Sequence, residues 1–431
     1  MTLTEGLVRL IRAKPVGSSD LAKAALFVLD AVANALAGRC TGPGTILRRW
    51  AAGQGRDVGR DAFLMGGLTH ILETDDLHRA SVVHPGCVVV PAVFAVASRD
   101  GVGGRAALEA VLHGYEACCR VGMAVGSAHY RIWHNTATCG PFGSAMATAA
   151  LQGLDDTQAV HALGNAGTQA AGLWQFLETG AMSKHLHAGR AAEAGVVAAG
   201  LAGLGFTGPP AILEGEKGFF AGACPDADPG AVLGNGEAGW QVHDTSIKPW
   251  PSCRHTHPVI DAALELHANI GRDDIAEVQV VTYSAGLNVC DRPRPESEYE
   301  AKFSLQHCAA VSLTDGKVGF SSFNGEARKR VASLAARVSV AAGEPFATDY
   351  PASWGATVVV TTAAGRRLQA RRTHCKGDPE LALSGEELTD KARHLLSYAG
   401  LDDSEAAALI NAILALADDG PLPVVELHAD S

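Results

Sequence analysis

Gly180-Ala-Met-Ser-Lys184-His185-Leu-His187-Ala-Gly189-Arg190-Ala-Ala192 lies between two helical runs rich in alanine and glycine. On a helix Lys184, His187 and Arg190 recur at i, i+3 and i+6, which puts three cationic or potentially cationic groups along one edge of a small-residue surface. Such an edge suits an anion. A solvated helix face is the competing reading, because long charged side chains usually lie at the surface. The Ala, Gly, Met and Leu neighbours favour a cavity facing at least one of the charges. A desolvated lysine there could serve as a base.

The 431-residue chain is long enough for two domains, and 47% hydrophobic with 19% charged residues marks an ordinary globular protein. A net charge of −11 without any basic block argues against nucleic acid as a partner. Locally basic sites on an acidic chain fit a small anionic carboxylate as substrate. The N-terminus has no signal-peptide pattern, and no charge-free apolar run reaches the roughly 18 residues of a membrane span, so a cytoplasmic protein with no membrane partner is expected. Ten cysteines occur without a CxxC spacing, which predicts reduced core thiols.

The expected architecture is mainly α with a smaller α+β part. Ser18 or Ser19 caps a helix over 20–36 in which Asp30 sits inside the apolar pattern and needs a partner. Further helices are expected over 62–74, 87–98, 105–124 and 143–151, and another is capped by Asp155 or Asp156. After Lys248-Pro-Trp-Pro-Ser-Cys253-Arg254 the pattern changes to a helix over 259–270 and a strand over 275–284. Helices over 303–315 and 325–336 follow, then a hairpin of 356–362 with 367–371 around Ala364-Gly365. Helices over 387–398 and 404–416 return the chain to the helical part. The division expected is 1–245 all-helical, 246–383 α+β and lid-like, and 384–431 completing the helical domain.

Two polar stretches carry candidate chemistry. In Thr69-His70-Ile-Leu-Glu73-Thr-Asp75-Asp76-Leu77-His78-Arg79 and His84-Pro85-Gly86, carboxylates and histidines crowd together before a helix whose N-terminus can hold an anion. Histidine and carboxylate also suit a divalent metal, but the spacing matches no pattern such as HExxH, so no metal is assigned. His129 to Gly140 reads as a polar loop in which hydroxyl neighbours could orient His134.

Together these segments resemble the MmgE/PrpD family, the group containing 2-methylcitrate dehydratase, cis-aconitate decarboxylase and iminodisuccinate epimerase. The resemblance runs through the acidic segment with His84-Pro85-Gly86, the His134-to-Gly140 stretch, the 180–190 stretch, the Lys248-to-Arg254 stretch with Thr256-His257, and Lys376-Gly-Asp-Pro379. It implies a homodimer, no cofactor, and His84, His134, Lys184 and Lys248 in a pocket between the domains. Three departures bear on chemistry. Glu73-Thr-Asp75-Asp76-Leu77 replaces the commoner Asp-x-Asp-Asp-Thr, the spacing to His84 is one residue longer, and Phe303-Ser304-Leu-Gln-His307 carries an imidazole where many members have a tyrosine.

The reaction expected is abstraction of a proton next to a carboxylate of a small di- or tricarboxylic acid, with the carbanion held as an enediolate. Lys184, Lys248 and Arg254 are assigned to carboxylate binding and charge stabilisation, His84 and His134 to proton transfer, and Glu73 to orienting a histidine. Asp75, His257 and His307 complete the substrate contacts, while His187 reads as a packing residue. A 2-methylcitrate dehydratase-like lyase leads, with an epimerase of a substituted succinate or a cis-aconitate-type decarboxylase as alternatives. A catalytically silent member that binds an anionic metabolite is the reading from another class. Nucleotide binding is disfavoured by the lack of GxGxxG after a strand and of GxxxxGK[ST].

Overall fold

The computed structural model describes residues 1–270 and 274–428, which form two compact units: Met1–Ile247 with Ser384–Ser431, and Lys248–Leu383. The first unit is helical apart from a two-residue ribbon pairing Leu77–His78 with Thr245–Ser246. Its centre is a set of helices, Val58–Thr69, Gly86–Asp100, Gly104–Ala124, Asn135–Leu151 and Ser183–Gly203, whose facing surfaces are small. A side chain at Gly195 would meet Ser144 Oγ at 2.1 Å and Ala145 N at 2.2 Å. Backbones therefore approach closely enough for Ser144 Oγ to donate to Ala191 O across the helix pair at 2.6 Å.

Helix ends follow the capping residues. Thr2, Asp57, Asp155, Ser384 and Asp402 each accept from a backbone N–H in the first turn of the helix that follows. Helix Ser18–Gly38 is long and apolar enough to cross a membrane by length and composition, yet 83% of its apolar window is buried within the fold. Asp30 inside it is bonded by Lys391 of helix Gly385–Tyr398, and the same ammonium donates to Thr74 O at 2.6 Å. One lysine thus ties the returning C-terminal segment to both the core helix and the acidic stretch.

The stretch from His134 to Gly140, expected as a loop, is instead the start of helix Asn135–Leu151, preceded by a short helix Gly126–Tyr130. Every residue from Asn135 to Ala149 is buried, so packing on all sides overrides the poor helix preference of Asn, Thr and the internal Pro141.

The second unit carries a four-stranded sheet of β1 (Ile275–Thr282), β2 (Val338–Ala342), β3 (Ala356–Thr362) and β4 (Arg367–Arg372), in the order β2-β1-β3-β4. β1 and β2 are parallel, with Val278 opposite Val338, and the other pairs are antiparallel, with Val278 opposite Val360 and Val358 opposite Ala370. Alternation turns Val278, Val280 and Thr282 inward, and helix His257–Ile270 covers β3 and β4. The β3–β4 hairpin matches the expected span and turns through Gly365 at φ +79°. β2 was not expected.

Gly195 gives a direct test of the close helix packing. Gly195→Ala forces a methyl against backbone and Ser144, and overpacking of this kind typically costs about 1–3 kcal/mol. Thermal unfolding should shift down clearly for Gly195→Ala and hold or rise for Gly200→Ala, where nothing lies within 4 Å of an added Cβ and alanine is the better helix residue. Equal midpoints for the two variants would contradict the packing described.

Candidate active site

Helix Val58–Thr69 stops at His70, and the chain then runs irregularly to the helix beginning at Gly86. Glu73 (φ +62°) and Val82 (φ +53°) adopt left-handed backbone conformations, which cost on the order of 1–3 kcal/mol each and need surrounding structure to hold them. Asp76 supplies part of that structure. Its oxygens accept from Gly86 N at 3.0 and 3.2 Å and from Tyr115 OH at 2.7 Å. The helix N-terminus expected to hold an anion is therefore occupied by the protein's own carboxyl group. Burial pushes the Asp76 carboxyl well above its usual range, against the hydrogen bonds from Tyr115 and Gly86.

Asp75 faces the other way, into imidazoles. Its Oδ2 lies 2.6 Å from His70 Nδ1 and 3.4 Å from His84 Nδ1, and the two rings meet edge-on at 4.8 Å. Burial lowers His70 to about 3 in spite of Asp75, so the ring is neutral at pH 7 and Nδ1–H donates to the carboxylate. Its Nε2 is buried and has no hydrogen-bond partner among the described residues. Burial also acts against the charge on Asp75, but the two histidines outweigh it and hold the carboxyl well below its usual range. Asp75, expected to touch substrate, thus organises two histidines. His84 is further fixed by its backbone N–H donating to Thr136 Oγ1 at 3.0 Å.

Lys184 is buried and donates to Glu73, so the carboxylate expected to orient a histidine is an ion-pair partner of the lysine. The cationic edge expected on helix Ser183–Gly203 does not hold together. Successive i+3 steps drift around the helix, so Lys184 enters the core, His187 is half-buried, and Arg190 reaches solvent and pairs with Glu193.

His134 precedes helix Asn135–Leu151, its backbone N–H donating to Gly172 O at 2.9 Å. Its ring stacks on His70 at 5.6 Å, packs on Trp174 at 4.6 Å and brings Nδ1 within 3.3 Å of His187 Nδ1. Burial lowers His134 well below the usual histidine range, and the Lys184 charge and the neighbouring imidazoles of His70, His187 and His84 disfavour a further charge there. His70, Glu73, Asp75, His84, His134 and Lys184 therefore form one electrostatic cluster. His84, 9% exposed, is its most open member. His70, His187 and Trp174 were not assigned from sequence. His70 lay inside the segment singled out, but pairing across five residues around a helix end leaves no periodic signal.

The assigned residues of the second unit group among themselves. Lys248 Nζ and His257 Nε2 both approach Ser252 O, at 3.4 and 3.3 Å. Arg254 is buried and donates to Asp378 of the 376–379 stretch, which also accepts from Cys375 N at 2.9 Å. His307 bonds Ser322 O through Nε2 at 2.8 Å, and burial lowers its pKa.

One ligand atom each from His70, Asp75 and His84 lies within 4.8 Å of the others, close enough for one divalent ion. Sequence spacing had given no sign of this. The Lys184 charge acts on the same His70 and opposes a cation there.

The buried histidines make stability sensitive to acid. His70 and His255 are lowered to about 3 and His78 to about 4, in each case chiefly by burial, whereas an unfolded imidazole titrates near ~6.5. The unfolded chain takes up these protons first, so stability present above ~6.5 is lost as pH falls towards the folded values; the lowered Asp75 adds to the loss only below ~4, and the raised Asp76 acts against it without matching three histidines. The urea midpoint should drop between pH 7 and pH 5. A midpoint that holds or rises would contradict neutral burial of these rings.

Residues 8–231 match the MmgE/PrpD N-terminal domain and residues 250–417 the MmgE/PrpD C-terminal domain. The chain is 27% identical over 385 residues to the cis-aconitate decarboxylase-like protein oryM of Aspergillus oryzae, covering 82% of this chain and 79% of that one. It is 29% identical over 329 residues to cis-aconitate decarboxylase of Aspergillus terreus, covering 69% of this chain and 66% of that one. Against the human cis-aconitate decarboxylase the identity is 29% over 283 residues, covering 61% and 56%. The chain thus spans less than two thirds of the last two relatives. With both domains matched in order over most of its length, the chain belongs to the MmgE/PrpD family.

Proposed function

We propose that the protein is a cofactor-independent lyase acting next to a carboxylate of a small di- or tricarboxylic acid, through a carbanion held as an enediolate. The observation that carries this reading is a buried lysine beside two histidines with different partners: a carboxylate at His84 and a second imidazole at His134. Titratable groups held in contrasting surroundings suit separate acid and base duties. We assign proton donation to His84 and proton acceptance to His134. Lys184 is the charge that meets the developing enediolate, since its ammonium has three donors and can bond a substrate oxygen while keeping Glu73.

The same apparatus serves two outcomes. In dehydration the base removes the α-proton and the β-hydroxyl leaves with a proton from the acid. In decarboxylation the bond to the departing CO2 breaks, its electron pair passes into the enediolate, and a proton is returned to carbon. The names of the relatives favour decarboxylation of a cis-aconitate-type acid over the dehydration placed first on sequence. Lys248, Arg254 and His257 are proposed substrate contacts on family resemblance, which also supports a homodimer, and His307 is proposed as a contact at a position where many members carry a tyrosine.

Proton NMR in D2O with cis-aconitate, citrate, 2-methylcitrate and substituted succinates tests the reaction. Conversion of cis-aconitate to a product one carboxylate poorer, with deuterium on carbon, is expected. Neither turnover nor α-exchange with any of these acids would leave the silent metabolite-binding reading in its place. Lys184→Met should lower kcat by about 10²-fold or more, as for loss of one preorganised donor, with a smaller change in KM and an unchanged circular dichroism spectrum. A rise in KM alone would reduce Lys184 to a ground-state clamp. Dialysis against a chelator should leave activity intact, and loss restored by one divalent ion would transfer His70, Asp75 and His84 to metal ligation.

A further inference from the structure

The helix that delivers Lys184 delivers a second group one turn later. His187 Nδ1 lies 3.3 Å from His134 Nδ1, and the pair is enclosed by aromatic rings: Trp174 at 4.6 Å from His134, Phe176 at 5.5 Å from His187. The backbone at Gly172 closes over it. Gly172 accepts from His134 N, has φ +143°, and would carry a Cβ 2.4 Å from Ala137 and 3.2 Å from His187 Nδ1, so the clamp requires glycine here.

Two imidazole nitrogens in contact need one proton between them. Burial lowers His187 to about 4 and His134 well below the usual range, so each ring is neutral at pH 7 and carries a single N–H. If His187 donated, the His134 proton would sit on Nε2, which is buried and has no hydrogen-bond partner among the described residues. A buried N–H without an acceptor is rarer in proteins than an acceptor that is not fully satisfied. In the opposite arrangement His134 Nδ1–H donates to His187 Nδ1, and only a lone pair is buried at Nε2.

We infer that His187 is a positioning residue that holds His134 with its proton on Nδ1 and its lone pair on Nε2, the form a base requires. The kinetic consequence rests on the proposed role of His134, but the tautomer itself does not. His187 therefore does more than pack, contrary to the expectation from sequence.

Nitrogen-15 histidine NMR of the full chain, with His134 assigned by substitution, reads the tautomer without substrate. The parent should show His134 protonated at Nδ1 and bare at Nε2. His187→Leu keeps bulk but removes the acceptor, so the signature should change to a mixture and kcat should fall about 10- to 100-fold at nearly constant KM, a fraction of what a general base contributes. His187→Asn, whose side-chain oxygen can take the place of Nδ1, should restore most of both. An Nε2–H tautomer in the parent, or a His187→Leu spectrum identical to the parent, would overturn the inference. A changed tautomer with kcat intact would uphold it and remove His134 from the role of base.

Discussion

Two opposite charges buried against each other, Lys184 and Glu73, constrain everything around them. Neither can lose its partner cheaply, since an uncompensated buried charge costs about 3–5 kcal/mol. The pair therefore fixes the helix Ser183–Gly203 against the irregular segment that follows His70. Small residues make that geometry reachable. Gly195 lets the lysine-bearing helix lie against helix Asn135–Leu151, which His134 immediately precedes, so lysine and histidine are set by one helix contact. On the other side, Glu73 is held in a left-handed conformation by a segment anchored through Lys391 to Thr74 and through Asp76 to Gly86 and Tyr115.

Within this frame the two adjacent carboxylates do different things because they meet different neighbours. Asp76 meets neutral donors in a dry setting and is pushed up, whereas Asp75 meets imidazoles and is pulled down. The histidines divide in the same manner. His84 shares the carboxylate of Asp75 with His70, while His134 is enclosed by rings and meets another imidazole through Nδ1. A site that must both give and take a proton needs such asymmetry.

Much of this could be read from the chain, for reasons that differ from segment to segment. Capped helices such as the one after Asp155 announced themselves through local chemistry, and the β3–β4 hairpin through alternation around Ala364-Gly365. Lys184, His84 and His134 were singled out because their neighbours are small or polar in a repeated family pattern. The first turns of the helix over 135–151, ahead of the expected 143–151, were not, since their Asn, Thr and Pro residues carry no amphipathic signal when every face is buried. Nor were the partners of the site residues. Pairings of Glu73 with Lys184, 111 residues apart, and of His134 with His187, 53 apart, arise only once helices pack. The supposed cationic edge failed for a simpler reason: three residues is not a whole turn, and Arg190 had rotated out to solvent.

A double-mutant cycle on stability with Glu73→Gln, Lys184→Met and the combined variant tests the central pairing most directly. Each single change should cost about 3–5 kcal/mol by stranding one buried charge, and the double should cost less than their sum by at least about 2 kcal/mol. Additive losses, within about 0.5 kcal/mol, would show that the two charges do not depend on each other and would contradict the account of how this site is held together.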